Sequence, residues 1–230
     1  MDIKDKAAKK AAKPASRGRG RPKGTSVAQD VAPRERLIAA AIPLFALHGY
    51  ETVSTGQIAA AADLSQPMVH YHFKSKDRIW YEAIETLMYN LARQFPNRRD
   101  ELKDLDPVAR LKVLTRRFIL MSASDTTLSR IILHESLVQS ERLAWLVERF
   151  VSKGFRDFDE AIRQGVDAGR IKPLPAYTIS NTIITASSFT FCLVGLVKLV
   201  YDKNITDPAH IQEMADSIVE ILFHGIVRNV

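Results

Sequence analysis

Apolar positions along this chain recur every three or four residues, the period of a helix with one buried face, and nowhere alternate as a half-buried strand would. Asp77 to Phe95 carries Ile79, Ala83, Leu87 and Leu91 on one face and is ended by Pro96. Asn97–Asp106 is a polar connection. Asp106-Pro107 then reads as a cap followed by a first-turn proline, opening a helix with Leu111, Leu114, Phe118 and Met121. Further helices are predicted over Thr126–Gln139, over Glu141–Ala168 with Gly169 as the stop, and from Pro175 to Tyr201. A last one starts at Asp207-Pro208, with Ile211, Met214, Ile218, Ile221 and Ile226 as its stripe. The expected fold class is all-α.

The segment from Ile58 to Lys76 divides more finely, into a short helix, a tight turn, a second short helix and the start of a third. Ser54 is placed to cap the first, with Gln57 three residues on completing a capping box. Ile58 and the alanines behind it let another helix cross closely. Ser65 is placed to cap the second helix, and Pro67 falls in its first turn, where a missing N–H costs little. Val69 packs inward while Gln66, Met68, His70 and Tyr71 project elsewhere. This is the layout of a helix-turn-helix, which presents one exposed helix to the DNA major groove.

The flanking residues carry a resemblance. Arg36-Leu37-Ile38-Ala39-Ala40-Ala41, Leu44-Phe45, His48-Gly49-Tyr50, Ser54 to Ala59, Leu64-Ser65 and His72-Phe73-Lys74-Ser75-Lys76-Asp77 follow one another from Arg34 to Arg93. In order and spacing they resemble the tetracycline-repressor (TetR) family of bacterial transcription regulators. The resemblance implies a three-helix helix-turn-helix DNA-binding domain with its connecting helix over residues 31–95. A larger helical effector-binding and dimerisation domain would follow over residues 96–230. It implies a repressor that binds a palindromic operator as a homodimer and is released by a small-molecule effector. The last two long helices of each subunit would form a four-helix interface, with Ala186, Ser187, Gly195 and Gly225 allowing close approach. Pro43, inside the first helix, predicts a kink or a local adjustment.

Within that frame Gln66, Pro67, Met68, His70 and Tyr71 are candidates to read bases, Gln66 through its amide and Met68 or Tyr71 against a thymine methyl. Ser54, Thr55 and Lys76 are candidates to hold phosphates from helix N-termini, and His72 joins the DNA-binding set. The effector cavity is expected between Pro107 and Tyr201. Its walls would be Phe118, Met121, Ile132, Trp145, Phe155, Phe189 and Phe191, and its polar groups His134, Glu135, Asn181, Thr185 and Ser188.

Charge adds a further element. Residues 1–30 hold nine basic and three acidic residues, a net of +6 in a chain whose total is +7. Poor in large apolar residues, this tail is expected to be disordered. Its Arg17-Gly18-Arg19-Gly20-Arg21-Pro22-Lys23 run reads either as a solubilising tail or as an arm that lays Arg19 and Arg21 in a narrow minor groove.

Composition removes other classes. The single cysteine, Cys192, excludes an internal disulfide and suits a reducing cytosol. No apolar run follows the N-terminal lysines as a secretory signal requires, so a cytoplasmic, nucleoid-associated protein is expected. Ile179–Val200 is apolar but diluted by serines and threonines, which favours a buried helix over a membrane span. The six histidines have no metal-ligand spacing, and no nucleophile elbow or phosphate-binding glycine loop occurs. Neither catalysis, a cofactor nor a metal is expected. A constitutive DNA-binding or architectural protein, without effector, is the alternative.

Overall fold

Helix starts are set by side chains that accept the first free amides. In the computed structural model, which describes residues 31–95 and 99–227, Ser54 and Gln57 form the capping box expected of them. The Gln57 amide donates to Ser54 Oγ at 3.2 Å, and the Ser54 amide to Gln57 Oε1 at 2.7 Å. Asp106 accepts from the amides of Val108 and Ala109, and Ser75 and Ser140 cap the helices they precede.

The resulting order is α1 (Pro33–Thr52), α2 (Thr55–Ala61), α3 (Gln66–Phe73), α4 (Lys76–Gln94), a 3-10 turn (Arg99–Leu102), α5 (Pro107–Ser124), α6 (Thr127–Val138) and α7 (Glu141–Leu146). A π-helical turn (Val147–Val151) leads into α8 (Ser152–Asp167). Then come α9 (Ala176–Ser188), a 3-10 turn (Phe189–Leu193), α10 (Val194–Tyr201) and α11 (Pro208–Ile226). Among the described residues the only strand-like feature is an isolated bridge between Ile171 and Val227. The all-α reading holds.

Three local expectations need correction. Pro43 does not kink α1; the backbone leaves helical geometry only at Gly49. Pro43 and Ala39 both lie on the exposed face, so water can serve the carbonyl that the proline leaves unpaired. The stretch Glu141–Ala168 is not one helix, because the π turn interrupts it. Its five-residue period brings Trp145 and Phe150 to the same side, ring centroids 5.5 Å apart. The stretch Pro175–Tyr201 is broken by the 3-10 turn just after Ser188, whose hydroxyl donates to the Ile184 carbonyl and competes with the regular ladder. That stretch is long and apolar enough to cross a membrane, but no buried residue lies in α10. The expected burial therefore holds for α9 and the turn, where Ile179, Ile183 and Phe191 are buried, and not for α10.

The core comes in three clusters. Leu37, Phe45, Ile58, Val69, Phe73, Ile79, Trp80 and Ile84 hold the first four helices together, and Ile131 of α6 and Leu146 of α7 join the same cluster. Each such side chain contributes about 1.5–3 kcal/mol when fully buried. Val108, Leu111, Phe158, Ile162, Ile179 and Phe223 join α5, α8, α9 and α11, and Ile119, Phe191, Ile205 and Ala215 form a third cluster.

Candidate nucleic-acid interface

The recognition helix of the motif is α3, and its two sides differ sharply. Val69 and Phe73 are buried beneath it. Gln66, Pro67 and His70 are exposed, Met68 is half-buried, and Tyr71 is 78 % exposed. Tyr71 therefore stands clear of the motif's interior. Ser65 occupies the cap position of α3, but its side chain makes no capping bond there. The sequence expectation for Ser65 is corrected in that respect.

The turn between α2 and α3 is held by a residue that the sequence reading passed over. Asp63 takes a left-handed conformation, φ +53°, where an ordinary side chain is disfavoured. Arg36 of α1 donates to the Ala62 carbonyl at 2.6 Å and the Asp63 carbonyl at 3.2 Å, satisfying orphan acceptors at the end of α2. A non-glycine residue just past a short helix was the available signal.

Gln66 is steadied from below. Its Nε2 donates to Thr55 Oγ1 at 3.4 Å, so the first residue of α2 supports the first residue of α3. Ser54 is occupied by its capping box. Lys76 is turned inward: its ammonium donates to the Tyr50 carbonyl at 2.9 Å and lies 4.0 Å from the Tyr50 ring centroid. Half-buried, it is a structural pin more than a free phosphate hook. His72 is half-buried as well, with Nε2 shielded and unpartnered and the ring edge-on to Tyr71. Lys74, exposed at the α3–α4 turn, is a cation the sequence reading had not singled out. Arg19, Arg21 and the rest of the tail lie outside the described residues.

Tyr50 itself donates to Asp77 Oδ1 at 2.6 Å. Burial first, and then the Asp77 carboxylate, push its phenol well above the ordinary tyrosine range. At Arg142, burial works to lower the guanidinium pKa, but the carboxylate of Glu135 outweighs it and the value is raised. Burial likewise pushes the Cys192 thiol up, against the opposing pull of Arg130.

Of the residues expected to line an effector cavity, His134 and Glu135 border one together, and the others are placed elsewhere. Phe118 packs edge-on against Phe158, Met121 joins the first cluster, and Trp145 meets Trp80, Tyr81 and Phe150 edge to face. Glu135 is buried and bonded by Arg142 and Ser140. Asn181 and Thr185 are exposed on α9, Ser188 bonds its own helix, and Phe155 and Phe189 are half-buried apart from these. That cavity, of about 160 Å³, lies between α1 and α6, where His48, Tyr50, Glu51 and Arg142 line it with His134 and Glu135. Another, of about 100 Å³, is lined by Leu174, Ile179, Ile183, Leu222 and Ile226.

Comparison with known proteins agrees with this geometry. Residues 37–82 match the family model described as bacterial regulatory proteins of the tetR family, and residues 107–222 match the tetracyclin repressor-like C-terminal domain. The nucleoid occlusion factor SlmA of Escherichia coli is 24 % identical over 160 residues, covering 69 % of this chain and 77 % of that protein. AibR, solved in complex with isovaleryl coenzyme A and operator DNA, superposes with a TM-score of 0.66 at 22 % identity, over 84 % of this chain and 98 % of AibR. The ketosteroid transcriptional regulator KstR2 of Mycobacterium tuberculosis gives 0.64 at 18 % identity, over 86 % and 96 %. An exposed recognition helix on a buried three-helix frame, with family models matching on both sides of α4, leads to one conclusion: the chain belongs to the tetR family of DNA-binding transcription regulators.

Proposed function

We propose that this regulator is a repressor that binds a two-fold symmetric operator as a homodimer and is released by a small-molecule effector. The observation that carries the operator reading is α3, with Gln66, His70 and Tyr71 held out together over a buried Val69 and Phe73. One such helix reads few bases, and a dimer doubles the number. The dimer reading is supported by Leu196, Leu199, Val200 and Tyr201 on α10 and Ile221 on α11, all large, apolar and at least half exposed in the single chain.

Base reading is assigned to Gln66, Met68, His70 and Tyr71, with Pro67 shaping the start of the helix. Phosphate contact is assigned to Thr55, Lys74 and the amides that begin α2 and α3. The Arg19 and Arg21 arm adds a charge term that salt weakens. Such a protein acts where the DNA is, in the cytoplasm. Enrichment from a pool of randomised duplexes tests the operator reading: a palindrome must emerge, and a pool that stays random refutes it.

That an effector is bound at all is supported by AibR, which was solved in complex with isovaleryl coenzyme A and operator DNA. A constitutive DNA binder is the second reading. It is favoured by the volumes of the two cavities described above, about 160 and 100 Å³, which fall below the roughly 300–1,000 Å³ of ligand sites. A thermal-shift screen of metabolites, followed by DNA-release assays on the hits, separates the two. Release by any hit supports the repressor, and none across the screen supports the constitutive protein.

A further inference from the structure

Two cations lie over the ring of Tyr50, near the end of α1. The Lys76 ammonium lies 4.0 Å from its ring centroid and the Arg142 guanidinium 3.5 Å. Lys76 opens α4, directly after the recognition helix, whereas Arg142 belongs to α7, well outside the motif. Arg142 is held in turn by two carboxylates. Its Nε donates to Glu135 at 3.1 Å and a terminal nitrogen donates to Glu51 at 3.0 Å. Glu135 is 3 % exposed, so the pair is anchored in the protein and not on its surface. Just behind, Trp80 of α4 meets Trp145 of α7 edge to face at 5.8 Å, and these are the chain's two tryptophans.

We infer that Arg142 is a positioning residue for operator binding: from outside the helix-turn-helix it clamps the corner of α1 and α4 against α6 and α7, and so fixes the pose in which α3 meets the groove. The inference rests on the operator-binding reading above. A guanidinium suits the task because its plane stacks on the phenol ring while its edges bond two carboxylates, which a lysine ammonium cannot do at once. With its side chain 13 % exposed, Arg142 has little surface to offer a phosphate. It acts through Tyr50, Glu51 and the α4 start.

The test uses the full chain and a duplex enriched by the wild-type protein. Arg142→Met keeps an unbranched apolar stem and removes the charge and the plane. It should bind about tenfold more weakly, the size of effect seen for residues coupling distant parts of a protein. The slope of log affinity against log salt should stay unchanged, because no phosphate contact is lost. Far-UV helicity should persist while the near-UV dichroism of the Trp80–Trp145 pair falls. Arg142→Lys keeps a charge beside Glu135 and covers the case in which the methionine variant fails to fold; it should recover less than half of the lost affinity. Wild-type affinity in Arg142→Lys overturns the inference, as does a slope reduced by about one contact, which would make Arg142 a DNA ligand. If the wild-type protein enriches no duplex, the operator-binding reading is what has failed, and the inference falls with it.

Discussion

The ring of His134 fills the space that Gly49 leaves open. A Cβ on Gly49 would sit 3.0 Å from His134 Nδ1, and the glycine backbone, at φ +73° and ψ 161°, lies in a region that side chains scarcely enter. This close approach joins the end of α1 to α6. It also makes His134 a packing residue of the junction between them. Gly49→Ala should therefore lose about 1–3 kcal/mol, from strain and overpacking together. Chemical denaturation measures it, and an unchanged midpoint would refute the packing described.

Arg36 and Asp63 make the turn of the motif a second sensitive point. Arg36→Ala deprives two carbonyls of a charged donor and should cost about 1–3 kcal/mol. Asp63→Gly removes the left-handed penalty at the price of a freer unfolded chain, so its stability should fall within about 1 kcal/mol of wild type. Thermal unfolding of the two variants decides. Equal losses would mean that Arg36 is not what holds the turn.

Gln66→Ala should relax preference at one base pair of each half-site, with a loss of about 1–3 kcal/mol on the preferred duplex. The salt slope should not change. Binding to a panel of single-base operator variants reads this directly. A uniform loss across the panel would move Gln66 from base reading to backbone contact.

On α10, Leu199 is 88 % exposed, and Ile221 of α11 is 72 % exposed. Each charge placed at these sites would be buried unpaired if the helices pack against a second copy. Leu199→Glu and Ile221→Glu should each convert a dimer to monomer in sedimentation velocity without loss of helicity. Dimers that survive both changes would place the interface elsewhere.

The raised phenol of Tyr50 gives a pH dependence with a definite sign. Above the ordinary tyrosine value of about 10 the unfolded chain gives up a proton that the folded chain keeps, so the stabilisation is present below that pH and lost as pH rises through the folded value. Tyr50→Phe should destabilise at neutral pH by about 1 kcal/mol, the worth of an ordinary hydrogen bond. Its deficit should shrink above pH 10. A deficit that stays constant to high pH would contradict the bond to Asp77.

What could be read from the sequence was mostly local. The Ser54–Gln57 capping box, the Asp106 cap and the buried face of α3 depend on residues within four positions of one another, and the structure shows all three. Contacts between distant residues were harder. The inward turn of Lys76 depends on Tyr50, 26 positions earlier, and the sealing of Glu135 depends on where α7 folds back. The family resemblance implied an effector cavity, and side-chain size and polarity chose its lining. They could not show that Trp145 and Met121 fill the core that α6 and α7 share with the recognition unit, or that Asn181 and Thr185 face outward. The π turn was likewise invisible, since its benefit is the aromatic contact it creates.

The most direct test of the central claim is a hydroxyl-radical footprint on the duplex enriched by the full chain. Two recognition helices of one dimer should protect two patches related by two-fold symmetry, with centres about 34–36 Å apart along the duplex axis. Even protection along any duplex, or a single unpaired patch, would contradict a symmetric operator-binding dimer.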